Sequence, residues 1–179
     1  AIDDDPRLPL RLDVEAAGSN YLFALAQSGE TFPFAAAQAV PYTQDWFLGV
    51  ANLRGGLFGV VDLASYVGGK PPAQRSDAGR AESRLVALNQ LLEINCALLI
   101  DRLAGLRNTG ALVSSSEAPE GSPGYFGSGY TDASGAYWQE INLQALSQQP
   151  QFLSISACST PGRPSKMAVV DQLKNLRAK

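Results

Sequence analysis

Residues Trp46 to Gly69, reading WFLGVANLRGGLFGVVDLASYVGG, most constrain what this chain can fold into. Two short apolar runs, Trp46–Leu53 and Leu57–Val61, flank the tight punctuation Arg54-Gly55-Gly56. Both runs are rich in β-branched and aromatic residues and too short for ordinary helices, so the pattern predicts a β-hairpin. The paired glycines at its tip are expected to supply the positive φ angles that a narrow turn needs. Asp62 then closes the second strand and is expected to cap a short helix, Leu63–Val67, whose end is marked by Gly68-Gly69.

Similar punctuation recurs along the chain. Asn20–Ala26 and Glu30–Phe34 read as a hairpin turning at Ser28-Gly29, with Tyr21, Phe23 and Leu25 in the period-two spacing of a half-buried strand. Arg84–Asn89 and Ile94–Ile100 form another strand pair, and the unbroken apolar run Cys96–Ile100 predicts burial on both faces. Tyr125–Thr131 and Ala136–Asn142 make the last hairpin, turning at Asp132–Gly135 and leading into a short helix, Leu143–Ser147. Gly69 to Ser83, with its proline, glycine and charge, reads as a surface connection between two halves, and Ser114 to Gly129 as a long small-residue loop. Residues 1–18, with Leu8, Leu10, Leu12 and Val14 alternating, are expected to be an N-terminal arm, docked or mobile. Residues 158–179 are expected to be a linker and a C-terminal helix capped by Ser165, with Met167, Val170, Leu173 and Leu176 on one face that packs onto its own domain or docks on a partner.

The 179 residues contain no histidine, which removes a Ser-His-Asp triad, a Cys-His dyad and histidine metal sites together. A net charge of −3 gives no basic footprint for nucleic acid, and no run is long enough to span a membrane. The acidic start Asp3-Asp4-Asp5 is unlike a signal peptide, and Cys96 reads as a small core residue of a protein in a reducing, cytoplasmic setting. Gly127-Ser128-Gly129 lacks the Lys and Ser/Thr of a phosphate loop. Asp62, Asp101 and Glu140 are the carboxylates nearest to strands, but sequence spacing brings no two of them together. The strands as a set predict an all-β fold of barrel type.

Gly49-Val50-Ala51-Asn52-Leu53-Arg54-Gly55, followed by Val60-Val61-Asp62-Leu63, resembles the G-V-x-N-L-R-G…V-x-D-L signature of the CheW family. The final strand and helix, Ile141-Asn142-Leu143 onward, also match, and the run Gln144–Leu153 is similar to PilI-type members, adaptors of type IV pilus systems. The chain departs from the pattern after Phe34, where relatives place a short helix and an extended segment and this chain has only Ala35 to Gln44. Gly59 stands where relatives often have proline.

The resemblance implies two small five-stranded barrels, intertwined within residues 19–157, with short helices and a groove between them. It implies a non-enzymatic cytoplasmic adaptor, without cofactor or metal, that couples a methyl-accepting chemoreceptor to the regulatory domain of a CheA-type histidine kinase. Nucleic acid and direct membrane insertion are not part of that role. Gly49, Asn52, Leu53, Arg54 and Gly55 are the partner-binding positions it implies. A guanidinium beside a glycine turn suits carboxylates or carbonyls of a partner helix, and equally an internal ion pair that fixes the hairpin. The alternative is a barrel that binds a small ligand between its halves, or a hydrolase working with carboxylates; either predicts a pocket with converging polar groups.

Overall fold

The computed structural model describes residues 10–153 apart from 42, 93 and 109–111. The linker and helix expected over 158–179 lie outside the described residues.

Eleven strands among the described residues form two mixed sheets. β1 (Leu10–Ala16), β2 (Ser19–Ala24), β8 (Arg102–Asn108), β9 (Leu112–Ser116), β10 (Phe126–Asp132) and β11 (Tyr137–Ile141) build a six-stranded sheet ordered β8-β1-β2-β11-β10-β9. β3 (Ser28–Pro33), β4 (Phe47–Leu53), β5 (Gly56–Asp62), β6 (Arg84–Leu88) and β7 (Cys96–Ile100) build a five-stranded sheet ordered β3-β6-β7-β5-β4. The chain thus enters the first sheet, leaves to complete the second, and returns, so neither is a separate block of sequence.

The hairpins of β4 with β5, β6 with β7 and β10 with β11 pair antiparallel as the alternation predicts. The hairpin expected over 20–34 does not form. Its two strands exist, but β2 pairs with β1 and β11 while β3 pairs with β6. A 3-10 turn, Leu25–Gln27, turns the chain out of one sheet into the other. Residues 10–16, part of the expected arm, are β1, held between β2 and β8. Gly69 to Ser83 joins two elements of the same sheet, and carries a helix, α2 (Asp77–Glu82), capped by Ser76 Oγ accepting from Gly79 N. The small-residue loop is shorter than expected, because Leu112–Ser116 pairs with β10.

Asp62 caps α1 (Leu63–Gly68) as expected, its Oδ1 accepting from Ser65 N at 2.9 Å. Gly69, at φ 70°, closes the helix in the left-handed region. Asn142 caps α3 (Leu143–Ser147) in the same way. The larger core lies between the sheets, where Leu12, Val14 and Phe23 meet Val61, Val86, Leu98 and Ile100. Trp46, Tyr66 and Phe152, the last from α4 (Pro150–Leu153), pack at one side of it with ring centroids 4.9–6.0 Å apart. A second core, including Phe32, Leu53, Val60, Leu85 and Leu99, fills the far face of the five-stranded sheet.

Candidate functional site: the hairpin tip and the inter-sheet cleft

At the tip of the β4–β5 hairpin, Leu53 pairs with Gly56, leaving Arg54 and Gly55 as the two turn residues. Both have positive φ, 50° and 78°, the geometry that matches hairpin twist. Arg54-Gly55 therefore makes the turn, not the glycine pair the sequence pointed to. Asn52 Oδ1 accepts from Gly55 N at 3.0 Å, which gives the asparagine a local reason to precede this turn. The Arg54 guanidinium pairs with Glu30 of β3 and lies 5.9 Å from the centre of the Phe32 ring. Its side chain remains 74% exposed.

The other two motif positions serve the fold. Leu53 is buried in the second core. Gly49 sits at a register shift in β4 with φ +130°, and a Cβ there would fall on the Gln38 carbonyl oxygen. Gln38 and Val50 exchange backbone hydrogen bonds of 2.7 and 2.9 Å, clamping the short 34–46 connection to β4 across that glycine. Of the five positions singled out from sequence, Asn52, Arg54 and Gly55 form one exposed tip, while Gly49 and Leu53 lie behind it.

Between the β1–β2 turn, α1 and the 70–82 connection lies a cleft of about 990 Å³. Arg75 spans it. Its Nε donates to Asp101 Oδ1 at 2.8 Å and its Nη1 to Asp62 Oδ2 at 3.2 Å. Asp101 Oδ2 accepts from Ala17 N at 2.7 Å. All four carboxylate oxygens thus already accept hydrogen bonds, from the guanidinium, the helix cap and the β1–β2 turn. The pairing that sequence spacing could not provide is real, and it forms a joint between the sheets. At the rim, Arg102 donates two hydrogen bonds to Glu15, which hold the Glu15 carboxyl below its ordinary range despite some desolvation.

A further polar cluster sits on the face of the six-stranded sheet away from the inter-sheet core. Arg107 pairs with Asp13 at 2.9 Å and with Asp132 at 3.6 Å, and its guanidinium lies 4.9 Å from the Trp138 ring centre. Arg107 and Asp132 come from strands far apart in the sheet order, so the sheet curls around this cluster. Burial pushes the Asp13 carboxyl up, against the pull of Arg107. Hydrogen bonds from Ser134 Oγ, Trp138 Nε1 and two backbone amides hold Asp132 well below the usual range. Glu140 is half-buried here, against Arg11 and the Tyr130 hydroxyl. Cys96 is fully buried, its thiol pushed up to about 12 and so protonated. No group of three Cys, Asp or Glu side chains among the described residues is arranged to hold a metal. Sequence reasoning missed Arg75 and Arg107. Arg75 sat in a segment read as mere connection, and the charged residues Arg11, Asp13 and Glu15, alternating with Leu12 and Val14, were the one visible sign of the second cluster.

These features define a class: a two-sheet β protein whose buried charges hold its own strands together and whose β4–β5 hairpin presents an exposed tip. The chain belongs to the CheW family, whose CheW-like domain model matches residues 12–151. Among solved structures it is similar to the scaffolding protein TtCheW from Thermoanaerobacter tengcongensis, with a TM-score of 0.62 at 15% identity, over 80% of this chain and 95% of that one. No curated protein matches it.

Proposed function

We propose that this chain is a non-enzymatic cytoplasmic adaptor that couples a methyl-accepting chemoreceptor to the regulatory domain of a CheA-type histidine kinase, in the PilI-type branch that serves type IV pili. The observation that carries this reading is the family match over residues 12–151. The similar fold of a protein described as a scaffold supports it, as does the run Gln144–Leu153 for the branch. No helix among the described residues is long and apolar enough to cross a membrane. The adaptor works through coupled equilibria: binding both partners lets receptor conformation bias the kinase by the difference in affinity between receptor states.

Asn52, Arg54 and Gly55 form the surface proposed for the receptor. The preset turn holds Arg54 at little entropic cost, and Glu30 orients its guanidinium while leaving most of it accessible. Gly49 and Leu53 support that surface from behind. The test compares wild type with Arg54→Ala against the cognate kinase and receptor. Wild type should bind both, and the variant, with an unchanged melting transition, should lose about tenfold or more for the receptor, as expected of an exposed arginine hot spot. Wild type binding neither partner would remove the adaptor role and make the inter-sheet cleft the place to look.

A further inference from the structure

The inter-sheet face of the six-stranded sheet is not fully covered. Leu106 of β8, Leu12 of β1 and Phe23 of β2 are direct cross-strand partners, so all three side chains point to this face. Along that row exposure falls from 56% at Leu106 to 8% at Leu12 and 0% at Phe23. Leu10, two residues before Leu12 on the same side of β1, is 42% exposed, and Leu25, just beyond the end of β2, is 38% exposed. The packed core thus runs out into an apolar margin, with Leu10 and Leu106 on β1 and β8 and Leu25 just beyond β2.

We propose that residues 165–179 of the chain itself cover this margin. Met167, Val170, Leu173 and Leu176 recur at the spacing of one helical face. A helix of this length standing alone in water is marginal, so such a face needs a surface to lie on. The charge agrees. Residues 154–179 carry five basic side chains and one acidic, whereas residues 10–153 carry eight basic and thirteen acidic. Opposite signs draw the segment back to the body.

The path is short enough. Gln27, two residues from Leu25, accepts a hydrogen bond from Leu143 N at 2.9 Å and donates one to Asn142 Oδ1 at 3.1 Å, so α3 starts beside the apolar margin. The described chain ends six residues after α3. Residues 154–164 then extend up to roughly 35 Å, more than enough to cross one side of a domain this size. A tether also makes a small patch sufficient, because it holds the segment at an effective concentration of about millimolar. Three leucines offer far less than the roughly 1,000 Å² that a stable contact with a second copy would require. This inference does not depend on the adaptor role.

The test uses the full chain with Cys158→Ser and Leu106→Cys, an exposed position where the substitution leaves the core alone, and follows the rate of labelling by a thiol reagent. Leu10→Cys is the second reporter should the first fail to fold. Adding Val170→Asp and Leu173→Asp should accelerate labelling about tenfold, as expected when a local opening equilibrium is released. The slow rate of the parent should not change with protein concentration. Equal rates with and without the aspartates would overturn the proposal, whether the face is bare or covered by residues 1–9. Protection that grows with concentration would overturn it in favour of a second copy.

Discussion

Two glycines of one motif separate what a positive φ costs from what a clash costs. At Gly55 an added Cβ meets open space, so Gly55→Ala should cost only the left-handed backbone term, about 1–2 kcal/mol. At Gly49 the Cβ meets the Gln38 carbonyl and Ala39, both backbone, so Gly49→Ala should cost roughly 3 kcal/mol or more and loosen the 34–46 connection. Urea unfolding of the two variants side by side would show the difference. Asp132 makes a different residue-scale prediction. Its carboxyl is held low in the folded state, first by Ser134 and then by Trp138, so the stability it contributes is present above its ordinary value of 3.8 and lost as pH falls below that value. Asp132→Asn should destabilise the protein at neutral pH and flatten the acid limb of its stability curve. Asp13, raised by burial, acts in the opposite sense: its share falls as pH rises above its ordinary value of 3.8, so the acid limb of wild type is the difference of the two.

At the scale of elements, the 70–82 connection shows how a segment without an apolar face becomes part of the architecture. Its anchor is one side chain, Arg75, which reaches the end of β5 through Asp62 and the β7–β8 junction through Asp101. Asp101 in turn holds the β1–β2 turn through Ala17, so one guanidinium organises elements of both sheets. Arg75→Ala leaves the buried Asp62 without its cation and should cost about 3 kcal/mol. Amide exchange should then rise first in α2 and in the β1–β2 turn, before the β-sheet cores. If exchange rises uniformly instead, the arginine contributes only to global stability and is no joint.

For the whole molecule, the aromatic group at the side of the inter-sheet core ties the last described helix to the five-stranded sheet. Phe152 stacks on Trp46 at 6.0 Å and meets Tyr66 edge-on at 5.7 Å, and it is fully buried. Phe152→Ala should cost about 3–5 kcal/mol by opening a cavity there, measured as a lower midpoint of thermal unfolding. The two sheets should still unfold in one transition, because the chain passes from one to the other and back.

Local chemistry was legible in the sequence wherever a few neighbouring residues decide the outcome. The 46–69 hairpin, the cap at Asp62, the short helix after Asn142 and the strand pair before Ile100 all follow from periodicity and turn residues within short windows, and the family motif is itself a short run of neighbours. The tertiary structure alone decided which sheet each strand joins. Strand pairing is a long-range hydrogen-bond choice, so β2 and β3, adjacent in sequence and alternating alike, part at a 3-10 turn that no residue pattern announced. It alone also decided which charges meet: Asp62, Arg75 and Asp101, or Asp13, Arg107 and Asp132, lie far apart along the chain and come together only because the strands that carry them have already packed. Where an arginine sits is written in the sequence; which carboxylate it neutralises depends on the fold around it.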